Sequence, residues 1–359
     1  MRLLRLLLFP FSFFYAFGVI IRNIAYDLGI LKSRRFKVPV ISVGNLAVGG
    51  AGKSPMTEYL VSLLKTDYKL ATLSRGYGRR TTGFLKVKSS SLAEDVGDEP
   101  LQFKQKFPEI TVAVCEDRVE GIKELNQHHG LIIMDDAFQH RAVKPGFSVL
   151  LFDYNSLYNF QWFLPSGDLR EPLSSRKRAD MIVVTKTPAD LTELERRRIT
   201  ARVKPFKNQQ IFFSYLEYGN LIDLNSPENE LSLVHITKTT HVMLLTGIAN
   251  PKTLIAKLKG YTDHISLQQY PDHHQFSKKN IAKLAAEFKK LPGNEKLIIT
   301  TEKDAQRLRG FAGKEHLKEL PVYFLPIRAA IHQPDKIRFN NLIKKYVTEH
   351  SANNRVHKA

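Results

Sequence analysis

Between Val38 and Pro55 the chain reads Val-Pro-Val-Ile-Ser-Val-Gly-Asn-Leu-Ala-Val-Gly-Gly-Ala-Gly-Lys-Ser-Pro. A short β-branched apolar run is the pattern of a buried strand. The glycines after it, and a Lys-Ser-Pro that opens a helical pattern, complete the strand–loop–helix order of a phosphate-binding loop. Glycine lets successive backbone N–H groups turn toward one anion, and the helix N-terminus adds its positive dipole. In such a loop, Ala47, Val48, Gly49, Gly50, Ala51 and Gly52 cradle phosphates. Lys53 reaches the terminal phosphates and the Ser54 hydroxyl ligates Mg²⁺. Ala47 stands where the usual pattern has its first glycine, so Gly49 and Gly50 are expected to supply the turn. The chain is expected to bind ATP with Mg²⁺.

Further along, Leu131-Ile132-Ile133-Met134 ends in Asp135-Asp136. A buried strand closing on carboxylates is common, but after a phosphate loop it marks Mg²⁺ ligands. Asp135 is the better candidate and Asp136 a neighbouring functional carboxylate. Ser74-Arg75-Gly76-Tyr77-Gly78 follows the strand Lys69–Leu73, at an end where open α/β sheets bind ligands. Arg75 and Tyr77 are therefore candidates to touch phosphate or substrate, with a solvated basic turn as the alternative. Arg118, Gln139 and Arg170 join them; for Arg170 the alternative is an ion pair with Glu171. Asp98, in Gly97-Asp98-Glu99-Pro100, either caps the helix after it or accepts a substrate hydroxyl proton. Thr185-Lys186-Thr187-Pro188 lacks the Asn and Asp of a guanine-reading box. Asp272-His273-His274 is weak as a metal site.

A length of 359 residues accommodates two domains, and 43% hydrophobic with 25% charged residues is the composition of a folded chain. The net charge of +19 favours an anionic surface or a phosphorylated substrate. No RNP, zinc-knuckle or helix-turn-helix pattern supports nucleic acid. The single cysteine, Cys115, permits no intrachain disulfide and reads as a small buried hydrophobe. Leu6–Ile21 is an uncharged, aromatic-rich run between Arg5 and Arg22. It is short for a spanning helix and lacks a good cleavage site. A helix lying in an anionic membrane surface fits better than a helix covering the core.

The expected organisation is a membrane-associated helix over 1–30, a P-loop domain over 31–215 and linker strands over 216–240. A smaller α/β domain over 241–348 and a disordered tail over 349–359 follow. The expected fold class is an α/β/α P-loop NTPase-like sandwich with a second α/β domain and a two-stranded linker, acting as a monomer.

Taken in order, Gly44-Asn45-Leu46, Gly49–Pro55, Ser74–Gly78, Gly97–Pro100, Asp135–His140, Leu169–Glu171, Asp272-His273 and Thr301-Glu302-Lys303-Asp304 resemble the tetraacyldisaccharide 4′-kinases. The resemblance runs from the N-terminal helix to about residue 330. It implies ATP-dependent phosphorylation of the 4′-hydroxyl of an acylated glucosamine disaccharide 1-phosphate, at the cytoplasmic face of a Gram-negative inner membrane. It also implies that Asp98 is the base and that His273 pairs with it across the domain cleft. In the family Ala47 is commonly threonine and Ala137 commonly glycine. The rival reading is a membrane-surface P-loop NTPase acting as a switch or chaperone.

Overall fold

The computed structural model describes residues 5, 7–159, 161–248, 250–272, 274–310 and 315–356. The chain opens with helix α1 (Phe9–Asp27), then β1 (Val40–Asn45), α2 (Lys53–Leu64), β2 (Leu70–Ser74), β3 (Leu85–Lys86) and α3 (Asp98–Lys106). Next come β4 (Thr111–Val114), α4 (Arg118–Asn126), β5 (Leu131–Met134), β6 (Phe147–Asp153), β7 (Met181–Thr185), α5 (Glu193–Val203) and β8 (Gln210–Tyr218). A second series holds β9 (Leu221–Asp223), β10 (Glu230–Leu231), β11 (His241–Thr246), α6 (Lys252–Lys259), β12 (Ile265–Gln269), α7 (Lys278–Lys290), β13 (Lys296–Thr301), α8 (Glu302–Gly310) and β14 (Val322–Leu325). The chain closes with β15 (Ile327–Ile331) and α9 (Asp335–Val356).

The first sheet has the order β15-β8-β7-β6-β1-β5-β2-β4-β3. All its pairings are parallel except those of the two edge strands, β15 on β8 and β3 on β4. Strands buried on both faces need apolar side chains throughout, and β1, β2, β5 and β7 are buried along their whole length. β1 lies between β5 and β6, so its carboxyl end opens beside theirs, where α/β sheets bind ligands. One face is covered by Met56, Leu60 and Leu64 of α2 with Phe339, Ile343 and Val347 of α9. Ile122 and Leu125 of α4 and Ile199 and Val203 of α5 cover the other.

The second sheet runs β10-β9-β14-β13-β11-β12 and is parallel from β14 to β12. Its two faces are packed by α7 with α8 and by α6.

Three boundaries differ from the sequence expectation. Residues 216–218 end β8 in the first sheet, and β9 and β10 pair into the second sheet instead of forming a linker over 216–240. The two-stranded connection is β8 with β15, whose crossing is closed by Gly219 N–H donating to Pro326 O. Such strands join open sheet edges because their backbone groups need partners. β15 and α9 therefore return to the first sheet, and Tyr346 Oη meets Val40 of β1. Lastly, the expected irregular tail from 349 is helical to Val356. Extending a packed helix costs far less than nucleating one.

Helix α1 lies on the first domain with its polar side inward. Ser12 Oγ is 2.6 Å from Ser166 Oγ, Tyr15 donates to Arg170 O, Arg22 to Gln139 O and Asn23 to Glu171. Its aromatic side faces away, with Phe13, Phe14 and Phe17 63%, 70% and 58% exposed. The reading of this segment as a cover for the core is therefore excluded: its apolar face is turned outward.

Candidate active site

At the end of β1 the chain turns into the glycine-rich loop. Ala47 bridges Leu169 in antiparallel fashion, and Val48 N–H donates to Asp168 O. An extended, bridged residue needs no glycine, which accounts for alanine at this position. The turn is made instead at Gly49 (φ +108°) and Gly52 (φ +77°), backbone conformations that favour glycine. Gly52 is the N-cap of α2, so Lys53 and Ser54 open the helix. Thr185, at the end of β7, steadies the loop by donating to Ala51 O at 2.8 Å. The residues that fail as a guanine box thus include a support for the phosphate loop.

Lys53 Nζ lies 3.3 Å from Asn45 Oδ1 and 3.6 Å from Asp136 Oδ2. The Arg170 guanidinium grips both oxygens of Asp136, at 3.2 and 2.8 Å, and also bonds Asn45 Oδ1. Arg170 is therefore engaged with Asp136 and not with Glu171, whose carboxylate is paired with Arg178. Asp136 carries a left-handed backbone (φ +45°). This places the turn after β5 at Asp136, one residue before Ala137. Burial opposes the Asp136 anion, but Lys53 and Arg170 hold its carboxyl below the usual range.

Asp135 has the opposite environment. It is fully buried and accepts from Thr57 Oγ1 at 2.9 Å. Burial, then the charges of Glu99 and Asp136, push its carboxyl up to about 7 against Lys53 and Thr57. Crowded, underneutralised carboxylates with oxygen donors alone suit a hard divalent cation. Among the described residues no three His, Cys, Asp or Glu side chains form a metal cage. Mg²⁺ in nucleotide sites uses one or two carboxylates plus phosphate oxygens, so the donor set fits it. Arg170 Nε and Gln139 Oε1 are buried with no hydrogen-bond partner among the described residues.

Arg118 opens α4, is 2% exposed and donates to Cys115 O. Burial pulls its guanidinium down to about 10 while Asp135 and Asp136 hold it up. Gln139 donates to Asn45 O, tying the turn after β5 to the end of β1. Arg75 and Tyr77 are exposed on the loop after β2. That loop reaches the next element by direct backbone contact: a Cβ on Gly97 would sit 3.1 Å from Gly76 Cα. Both glycines have positive φ, and the approach brings the backbone of Gly76 and Tyr77 against Gly97, the residue before Asp98.

Asp98 is the first residue of α3, behind an N-cap at Gly97 that lacks a side-chain bond. The capping alternative therefore does not hold. Its carboxylate is 6% exposed and pairs with Arg307 of α8 at 2.5 Å. Lys303 pairs with Glu99, and Lys106 with both Glu58 and Glu302. His273 lies outside the described residues. Sequence reasoning assigned no role to Asn45, Thr57, Glu99 or Arg307. Asn45, Glu99 and the Thr301–Asp304 stretch beside Arg307 stood within the quoted motifs, the only signal available for them.

A phosphate loop, a carboxylate pair at the adjoining strand end and a buried aspartate held from the second domain define a P-loop phosphotransferase. A model of the tetraacyldisaccharide-1-P 4′-kinase family matches residues 4–348. The chain is 44% identical to the tetraacyldisaccharide 4′-kinase of Phocaeicola vulgatus over 351 residues, covering 96% of each. It is 43% identical to that of Flavobacterium psychrophilum over 358 residues, covering 98% of this chain and 100% of the relative. Among solved structures, Aquifex aeolicus LpxK in complex with ATP aligns with a TM-score of 0.72 at 30% identity, covering 96% of this chain and 99% of that one. The chain belongs to the tetraacyldisaccharide 4′-kinase family.

Proposed function

We infer that this chain transfers the γ-phosphoryl group of ATP to the 4′-hydroxyl of a tetraacyl-glucosamine disaccharide 1-phosphate, forming lipid IV-A in lipid A synthesis. The observation that carries the reading is the cluster of Lys53, Asn45, Asp136 and Arg170 at the mouth of β1, in a chain of this family. ATP lies with its phosphates along Ala47–Ser54, and Lys53 neutralises charge on them. Ser54, Asp135 and Asp136 would hold Mg²⁺, which when bound orients the γ-phosphate and offsets its charge.

Asp98, oriented by His273, accepts the 4′-hydroxyl proton as the new O–P bond forms. The bond from the γ-phosphorus to the bridging oxygen breaks, and ADP leaves. Arg75, Tyr77, Arg118 and Gln139 line the route to the acceptor, while Arg170 fixes Asp136. Seating the second domain over this cleft excludes water and favours the sugar hydroxyl as acceptor.

The outward aromatic face of α1 and the +19 charge support a place for the enzyme at an anionic membrane surface, with α1 in the plane of the headgroups. The cytoplasmic face of the inner membrane is where ATP and the acylated substrate meet.

Replacing Asp98 by Asn tests the base. General-base loss lowers kcat by about 10²–10⁴-fold, with circular dichroism and the KM for ATP unchanged. Retention of most of kcat at saturating substrate would make the assignment wrong.

A further inference from the structure

Within the cleft, the Asp98 carboxylate is held from the other domain. Arg307 of α8 is fully buried, and its Nε and Nη2 both converge on Asp98 Oδ2, at 3.0 and 2.5 Å. The third nitrogen, Nη1, donates to Asp304 Oδ1 at 2.9 Å and to Gly247 O at 3.1 Å. Asp304, itself fully buried, accepts from Thr301 Oγ1 at 2.7 Å and from Gly247 N–H at 3.0 Å. Gly247 leaves no room around this group: a Cβ there would meet Asp304 Oδ1 at 3.0 Å, Arg307 Nη1 at 3.3 Å and Pro271 O at 3.4 Å.

One guanidinium thus ties the start of α3 to α8 and to the turn at Gly247 that follows β11. The flanking pairs Lys303–Glu99 and Lys106–Glu302 fix how α8 lies along α3. Buried ion pairs add little to stability compared with apolar packing. The geometry here is directional: a planar fork aimed at a single carboxylate oxygen, with its opposite edge anchored in the second domain. Only arginine presents donors in that arrangement.

We propose that Arg307 is a positioning residue for the acceptor base, aligning the Asp98 carboxylate from the second domain so that phosphoryl transfer to the sugar proceeds only while that domain is seated. This rests on the reading of Asp98 as the base. Asp304 is the strut that holds the guanidinium in place. The Thr-Glu-Lys-Asp motif of α8 and its approach thereby gains a role: Glu302 and Lys303 seat the helix, and Thr301 with Asp304 set the arginine.

The test is steady-state transfer from ATP to the disaccharide 1-phosphate in mixed micelles, with melting temperatures measured for every variant. Arg307→Lys keeps the charge and loses the fork. It should lower kcat about 10–100-fold, the scale of an ångström's misplacement, while the KM for ATP changes by less than about twofold because the phosphate loop is untouched. Asp304→Asn, which loosens the strut and leaves the Asp98–Arg307 charge pair in place, should show the same split with a smaller fall. In the Asp98→Asn background, Arg307→Lys should cost nothing more, because the two groups act as one unit.

A wild-type kcat in folded Arg307→Lys, or fully multiplicative losses in the double variant, would overturn the proposal and leave the base reading standing. An Asp98→Asn enzyme at wild-type kcat would remove both. Should Arg307→Lys not fold, Asp304→Asn decides: a wild-type kcat there contradicts the positioning role.

Discussion

Asn45 is the residue that joins the two halves of the phosphate site. Its amide donates to Ala47 O, and its oxygen receives both Lys53 and Arg170. On the proposed function, lysine, arginine and the Asp136 carboxylate are thereby preset around the phosphates of ATP, and preset charges need little reorganisation during transfer. A second residue sets how the folded chain responds to pH. Glu58 of α2 is 4% exposed and shares the Lys106 ammonium with Glu302, with Gln102 donating to it as well. Burial, with repulsion from Glu302, pushes its carboxyl from 4.5 up to about 7 despite Lys106. Between those values the folded chain keeps a proton that the unfolded chain has released. The contribution to stability is therefore complete below about pH 4.5 and lost as pH rises through about 7, by at most about 3 kcal/mol. Thermal melts of the ligand-free protein should show a fall in Tm across that window that is smaller in Glu58→Gln, the remainder belonging to the equally raised Asp135. An unchanged pH profile in the variant would refute the assignment. The phosphate-loop residues and Asp135 were legible in the sequence because their chemistry follows from local order along the chain. The pairings of Glu58 with Lys106, Asn45 with Arg170 and Arg307 with Asp98 join residues tens to hundreds of positions apart, and no local pattern announces them.

Helix α1 shows the same contrast at the scale of an element. The uncharged run between Arg5 and Arg22 identified a helix, and its aromatic content suggested a lipid surface. Which side meets the protein depends on Ser12, Tyr15 and Asn23, and their partners Ser166, Arg170 and Glu171 come from a loop far along the chain. Because Phe13, Phe14 and Phe17 point away from the domain, replacing all three by serine should leave the fold and soluble ATP binding intact. It should weaken binding to vesicles containing phosphatidylglycerol by about 10³-fold, given about 1.5 kcal/mol for each aromatic side chain buried in lipid. Equal sedimentation of variant and wild type with vesicles would exclude a membrane role for this face. Short elements were harder to read. β15, Ile-Arg-Ala-Ala-Ile, lacks a strong apolar run and is a strand through its pairing with β8. The last helix was legible only over its apolar Phe339–Tyr346 core, and its polar continuation to Val356 carries no sequence signal.

At the scale of the molecule, the second domain is an insertion between β8 and β15, so both of its connections pass through one antiparallel pair. Two α/β units were visible in the alternation of strands and helices, and the order of motifs identified the family that the relatives establish. The return of the chain to the first sheet was not visible, because Phe339, Ile343 and Val347 would suit either core. This arrangement sets α8 against α3 through three ion pairs and buries Asp98 between the two domains. On the proposed function, a seated second domain directs the phosphoryl group to a sugar hydroxyl in preference to water. The most direct measurement is to incubate the protein with γ-labelled ATP, Mg²⁺ and micelles containing the tetraacyl disaccharide 1-phosphate, then separate lipid from inorganic phosphate. The account predicts label on the lipid at the 4′ position, dependent on the acceptor and lost in Asp98→Asn. Label released only as inorganic phosphate, at the same rate with and without the lipid, would contradict it.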